Sequence, residues 1–447
     1  MTEGLVMNLT TPESVQKLQR ALHGKAKESS DFRFYALYDK VYRKDVLTFA
    51  YACCKANGGA AGVDGQTFRD IEAYGAERWL DELMQELESR TYRPLPVRRV
   101  FIPKPGGKQR PLGVPAIRDR AVEMAAVLVL EPIFEADLQP EQYAYRQGRS
   151  ALDAVNHVHK LINTGHREIV DADLASYFDV LPHAQLLKSV ARRVVDGAML
   201  HLIKMWLKAP VEETDDRGRK HRSTRNRDES RGTPQGSPIS PLLSNLYMRR
   251  FVLGWKKLGH EKRLGAYVVN YADDLVICCR GEAEEALATM RAMMTKLKLT
   301  VNETKTRVSK LPEEKFDFLG YTFGRRYSPK TGRAYLGTAP AKKRVIRICQ
   351  AISSKTGRNR TLLDHETVVM KLNQMMNGWA NYFCLGSVSN AYRAIDRHAR
   401  KRLRQWLCAK HKMSWPATGK FPETSLYDKF GLVRLPERTH SFSWAKP

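Results

Sequence analysis

A chain of 447 residues with 43% hydrophobic and 9% aromatic content can build about two to four packed domains, which excludes a wholly disordered polymer. Its 75 Lys and Arg against 48 Asp and Glu leave a net charge of +27, which points to a polyanionic partner, nucleic acid before an anionic membrane surface. No apolar run approaches the roughly 20 residues of a spanning helix, and the best, Ala125 to Leu130, reads as core. The opening MTEGLVMNLTTPES has neither the basic nor the long apolar stretch of a secretory signal, so an intracellular protein is expected. Seven cysteines without CxxC spacing, including the adjacent pairs Cys53-Cys54 and Cys278-Cys279, read as free thiols.

Helical periodicity runs up to about residue 90 and is clearest in AERWLDELMQELES, where Trp79, Leu80, Leu83 and Leu87 share a face. The glycine-rich run from Asn57 to Gly65 before it reads as a loop. A β-like segment from Val97 to Ile102 meets Pro103-Lys104-Pro105-Gly106-Gly107-Lys108-Gln109-Arg110-Pro111, turn chemistry that predicts a hairpin with its cations facing solvent or a ligand. A helix is predicted from Asp119 to Glu135 and a strand from Glu168 to Leu174, followed by the pair Tyr177-Phe178. Residues 211 to 232 are charged and nearly free of apolar side chains, the pattern of an exposed loop or long hairpin. From Gly232 to Pro241, three prolines and two glycines predict a rigid turn before an apolar helix. The run AYVVNYADDLVICC, Ala266 to Cys279, predicts two short strands joined by a turn. From Gly337 to Met413, 16 Lys and Arg face three acids in three predicted helices. The last, about Ser389 to Lys412, sets Arg393, Arg397, Arg400, Lys401, Arg402 and Arg404 around Ile395, Leu403, Trp406 and Leu407, a grip for nucleic acid.

Adjacent carboxylates in a tight turn, Asp273 and Asp274, repel each other and lose water, and a divalent cation removes that penalty. Hard oxygen ligands suit magnesium, and a third carboxylate at a strand end, Asp173, completes a site for two ions. Asp171 and Asp179 compete for that third place, and strand periodicity does not separate Asp171 from Asp173. The 232 to 241 loop offers backbone N–H groups and the Gln235 amide to a nucleotide, and Lys104 and Arg110 are placed to clamp a triphosphate.

Taken in order, these segments resemble a family. Tyr271-Ala272-Asp273-Asp274 resembles the YxDD box of reverse transcriptases, and GTPQGSPISPLL (232 to 243) resembles the segment before it in group II intron-encoded reverse transcriptases. IPKPGGKQRPLGVP (102 to 115), YRQGRSALDAV (145 to 155), LTVNETKT (299 to 306), FDFLGYTF (316 to 323) and the loop ending Gly62-Val63-Asp64-Gly65 are further matches, so the likeness covers about residues 50 to 435. It implies an α+β fold, a right-hand polymerase whose fingers and palm, an antiparallel sheet plus helices, precede an α-helical thumb and a short C-terminal tail. The expected divisions are an N-terminal extension and start of the fingers at 1–95, fingers and palm at 96–325, the thumb or maturase domain at 326–412, and a DNA-binding-like tail without an endonuclease domain at 413–447.

By the same resemblance, Asp173, Asp273 and Asp274 are the catalytic metal ligands, joined by the Leu174 backbone, and hold two Mg²⁺ ions. Phe178, five residues after Asp173, stands against the sugar 2′ position, Lys104 and Arg110 meet the triphosphate, and Gln235 lies beside the incoming nucleotide. Lys305, Arg393, Arg397, Arg400 and Arg404 are the implied nucleic-acid contacts. The implied partners are a group II intron RNA, template RNA, a DNA primer or target, and dNTPs, with no membrane. The implied setting is the bacterial cytoplasm, at the nucleoid through a ribonucleoprotein. Asn270 departs from the arginine common before the YxDD box, and Gln147 from a common proline. The resemblance leaves three expected roles: copying intron RNA, clamping it as a splicing cofactor, or a free-standing role in DNA repair or antiphage defence.

Overall fold

The computed structural model describes residues 9–103, 109–215, 217–328, 331–416 and 418–440. At its centre is the helix Ile117–Glu135, apolar around most of its circumference and buried at 14 of its 19 positions. Helices Glu13–Glu28 and Lys44–Asn57 pack on it, and Ala76–Glu88 turns Trp79, Leu80, Leu83 and Leu87 inward as its spacing predicts. Each large apolar side chain so buried contributes about 1.5 to 3 kcal/mol.

Strands β1 (Val97–Pro103) and β2 (Gln109–Val114) form the expected antiparallel hairpin. After β3 (Glu168–Asp173) come β4 (Val211–Thr214) and β5 (Lys220–Ser223), the hairpin within the charged 211 to 232 stretch. β4 pairs in parallel with β1, giving a first sheet ordered β2-β1-β4-β5. The apolar helix Ser240–Lys257 then leads to β6 (Ala266–Tyr271) and β7 (Asp274–Cys279), joined through the turn at Ala272 and Asp273. With β8 (Arg307–Lys310) they make a second, antiparallel sheet ordered β6-β7-β3-β8.

This second sheet is covered on both faces, which is why its strands read as nearly continuous apolar runs. Leu275, Ile277 and Cys279 face the large N-terminal core, whereas Val276 and Cys278 face a second core with the helix Ala151–Asn163. The adjacent cysteines are thus divided between the two faces, and all seven cysteines are free thiols.

Strands β9 (Phe316–Phe318), β10 (Tyr321–Tyr327) and β11 (Ala334–Pro340) form a third sheet. The expected division at residue 326 falls inside β10, because the strand that opens in the FDFLGYTF run continues through Arg325 and Arg326 to Tyr327. Helices Lys342–Lys355, His365–Tyr382 and Ser389–Lys410 follow, the three expected, around a third core. The segment from residue 413 is not a separate tail up to residue 440. Phe421, Leu426, Leu432 and Leu435 are buried in the same core, apolar positions whose spacing in a Pro- and Gly-containing stretch gives no period to read. No helix among the described residues is long and apolar enough to cross a membrane.

Candidate active site

The β3–β7 register sets Asp173 opposite Asp274, and β6–β7 sets Tyr271 opposite Asp274. Asp173 turns its own peptide groups to the other side, its N–H toward Thr306 Oγ1 and its carbonyl accepting from the Asn302 N–H at 2.8 Å. Asp173 and Asp274 therefore form a non-hydrogen-bonded antiparallel pair, the kind that brings side chains closest, about 4.5 Å between Cα atoms. By alternation Leu174 presents its carbonyl on the β7 side, since its pairing with Val301 is bracketed by the bonds of Ala175 and Asn302. Both carboxylates lie on the face that carries Ile169, Val276 and Cys278 below them, with Asp171 between Ile169 and Asp173, so acids gather at the end of an otherwise apolar face.

The turn that carries Asp273 has an unusual backbone. Ala272 sits at φ 57°, a conformation costing of order 1 to 3 kcal/mol for a residue with a Cβ. Asn270, buried in β6, donates its side-chain amide to the Ala272 carbonyl at 2.8 Å and reaches the Asp274 carbonyl at 3.4 Å.

Charge crowding follows from this geometry. Burial and then the charge of Asp173 push Asp273 above its ordinary value. Desolvation in the cleft, then Asp273, Asp173 and Asp171, push Asp274 up to about 7. Asp274 is nonetheless open to solvent by surface area, so repulsion among the carboxylates is the part of the shift that the geometry supports most directly. On its other flank Asp173 accepts from Lys305 Nζ at 3.0 Å and Asn302 Nδ2 at 2.9 Å. Asp171, two pairs further down, has its own cation in Arg307 at 3.5 Å, while Asp179 meets Gln235 instead.

As the side chains stand, no three His, Cys, Asp or Glu residues among the described residues converge into a ready metal cluster. Asp173 is turned onto Lys305 and Asn302. The donor set still fits a hard divalent cation: a carboxylate pair in register, a third on the adjoining turn, a backbone carbonyl facing them, and mutual repulsion that a cation relieves.

Around this centre the 232 to 241 loop is laced to its neighbours. The Gly232 N–H donates to the Leu181 carbonyl at 2.9 Å and the Thr233 N–H to the Phe178 carbonyl at 2.8 Å. Phe178 is half-buried, its ring 5.8 Å from that of Tyr177. The Gln235 carbonyl accepts from the Gly113 N–H at 2.7 Å, joining the loop to β2. A Cβ on Gly236, at φ +120°, would lie 2.4 Å from the Gly113 carbonyl oxygen, so only glycine permits this approach. Arg110 is exposed on β2, opposite Ile102, and its charge reaches Asp273 and Tyr145. Lys104 lies outside the described residues.

Sequence reasoning passed over Glu123. It is buried on the central helix, accepts from Ser237 Oγ at 2.5 Å, and is pushed by burial up to about 8. Its signal was available, an acid inside an apolar run. Earlier on the same helix, Arg120 holds the carbonyls of Gly58 and Ala60, and Asp119 takes Tyr92 and the Leu95 N–H.

The family described as Reverse transcriptase (RNA-dependent DNA polymerase) matches residues 102–323, and Group II intron, maturase-specific domain matches residues 345–421. Protein YkfC of Escherichia coli K12 is 31% identical over 366 residues, 74% of this chain and 93% of that protein. The chain belongs to the group II intron-encoded reverse transcriptases. It is also 31% identical to the group II intron-encoded protein LtrA of Lactococcus lactis over 235 residues, 52% of this chain and 37% of LtrA. It is 26% identical to the putative COX1/OXI3 intron 1 protein of Saccharomyces cerevisiae, over 62% of this chain and 38% of that one. The chain thus spans well under half the length of these last two relatives. Among solved structures, a chain of a partial Cas6-RT-Cas1–Cas2 complex is similar at 21% identity over 58% of this chain and 42% of that one, with a TM-score of 0.34.

In this reverse transcriptase the fingers and palm are therefore an RNA-directed DNA polymerase core, and the three-helix unit is the maturase-specific domain. On the helix Ser389–Lys410, Ile395, Leu403, Trp406 and Leu407 are buried as expected. Arg393, Arg397 and Lys401, four apart, form the exposed stripe. Arg400 pairs with Asp396 at 3.1 Å and with Glu423, and Arg404 donates to the Phe421 carbonyl at 2.8 Å. These two arginines hold the segment after residue 413 rather than facing outward, because their helix face is the one that this segment covers.

Proposed function

We propose that the polymerase core extends a primer on group II intron RNA with deoxynucleotides, using two Mg²⁺ ions held by Asp173, Asp273, Asp274 and the Leu174 carbonyl. Bound there, the ions would supply charge stabilisation for the attacking and leaving oxygens of an in-line displacement. The primer 3′-oxygen forms a bond to the α-phosphorus, and the bond to the departing pyrophosphate breaks. Arg110, with Lys104, holds the triphosphate, and Gln235 borders the nucleotide. Phe178 fills the space a ribose 2′-hydroxyl would need. The observation that carries the reading is the direct opposition of Asp173 and Asp274 with Asp273 on the adjoining turn. The test is Asp273→Asn, expected to abolish Mg²⁺-dependent extension on an RNA template while leaving binding of the intron RNA intact. Extension at the wild-type rate would refute the metal assignment.

The second role, assisting splicing, is favoured by the maturase-specific domain and by the exposed stripe Arg393, Arg397 and Lys401. Recognition of folded RNA there is through backbone and shape, with the ribozyme supplying the splicing chemistry. The working place we assign is the bacterial cytoplasm, at the nucleoid with the intron ribonucleoprotein.

A further inference from the structure

The turn that presents Asp273 and Asp274 is strained at Ala272, φ 57°, and a strained backbone persists only where its surroundings hold it. The hydrogen bonds around it show what holds it. Asn270 is 1% exposed and fixed at its own backbone from outside the hairpin: its N–H donates to the Glu141 carbonyl at 2.9 Å, and its carbonyl accepts from the Tyr143 N–H at 3.0 Å. From that anchored position its Nδ2 spans the turn, at 2.8 Å from the Ala272 carbonyl and 3.4 Å from the Asp274 carbonyl. Its Oδ1 is buried without a hydrogen-bond partner among the described residues, so the amide is oriented by what Nδ2 gains and not by a second bond.

We infer that Asn270 is a positioning residue that clamps the Ala272–Asp273 turn from beneath, setting the carbonyls around which Asp273 and Asp274 are aimed at Asp173. Asn270 acts through the turn backbone and touches no reacting atom. The clamp transmits the position of the segment 141–143 to the turn, since that segment grips Asn270 on both sides through backbone bonds. An amide suits the role because two donors on one nitrogen reach two carbonyls two residues apart. A side chain of equal size without a donor leaves those carbonyls unmatched and the turn free to relax.

This inference rests on the polymerase reading of the same turn. The experiment compares wild type with Asn270→Leu, similar in volume without a donor, and Asn270→Asp, similar in shape with an acceptor facing the carbonyls. Primer extension is measured against dNTP and Mg²⁺ concentration, and melting temperature with and without Mg²⁺ in the absence of substrates. Expected in both variants is a fall in kcat of about tenfold to a hundredfold, with the Mg²⁺ concentration for half-maximal rate raised roughly tenfold. The Mg²⁺-induced rise in melting temperature should shrink, while the dNTP KM and template-primer affinity change little. A lower melting temperature with kcat and Mg²⁺ response unchanged would make Asn270 a core residue only and overturn the inference. If neither variant folds, exchange in the wild type decides: the side-chain amide hydrogens of Asn270, the donors of the clamp, should exchange as slowly as the backbone of β6 and β7, and fast exchange overturns the clamp. No extension by the wild type would sink both this inference and the polymerase reading, whereas wild-type extension with indifferent variants would sink this inference alone.

Discussion

The palm and the thumb handle charge in opposite ways. At the end of the palm sheet, like charges are crowded by backbone register, and desolvation together with the neighbouring acids pushes Asp274 up to about 7. On the thumb helix, like charges are spread at four-residue intervals, and those that turn inward find acids or carbonyls. The palm therefore depends on a few fixed positions, and removal of one should be felt fully. The thumb depends on a sum of weak, screened attractions, and removal of one should be felt in proportion.

The largest effect tests the palm side of this contrast. Asp273→Asn should lower extension by at least about a hundredfold, on the scale of losing one transition-state charge interaction, with RNA affinity unchanged in a filter-binding assay. Next, Phe178→Ala should raise ribonucleotide incorporation relative to deoxynucleotide by about tenfold, the range that a steric pocket supplies, read by competing the two substrates in extension. Loss of extension without loss of discrimination would place the ring elsewhere.

Acidity provides a third test. Asp274 has a folded-state pKa raised to about 7, above its ordinary value, so the folded protein holds the extra proton between roughly pH 4 and 7. Without divalent ions the contribution of this group to stability should fall as pH rises through that window, and Asp274→Asn should flatten the dependence. Added Mg²⁺ should raise the melting temperature more at pH 8 than at pH 5.5. An Mg²⁺ effect independent of pH would separate the carboxylates from the ion.

The smallest effect concerns the thumb. Arg393→Glu and Arg397→Glu should each reduce the salt slope of RNA binding by roughly one unit for every phosphate that the side chain no longer neutralises. Arg400→Ala should instead lower the melting temperature, because it leaves buried Asp396 and the nearby Glu423 without their cation, and should barely change the slope.

Much of the backbone framework of the candidate site could be read in the residues because its signals are local. The β-branched runs around Ala272-Asp273-Asp274 specify two strands and a turn, and proline and glycine mark where β1 gives way to β2 and where the 232 to 241 loop lies. What escaped notice depends on residues distant in sequence. The parallel union of β4 with β1 joins to the fingers a short strand whose buried position is an acid, Glu212, and such a strand carries no apolar period. The hold of Lys305 on Asp173 spans 132 residues, and its spacing in LTVNETKT gives no hint of a partner. Arg400 and Arg404 look like their outward neighbours in composition, and only the packing of Phe421 and Leu426 shows which way that helix faces.

The meeting of Gly113 with Gln235 and Gly236 carries a consequence for motion. Because main chain lies directly on main chain there, β2 cannot swing away without either severing that bond or dragging the 232 to 241 segment along. Two walls of the cleft are thereby geared together, so that a substrate pressing on one shifts the other with no intermediary side chain.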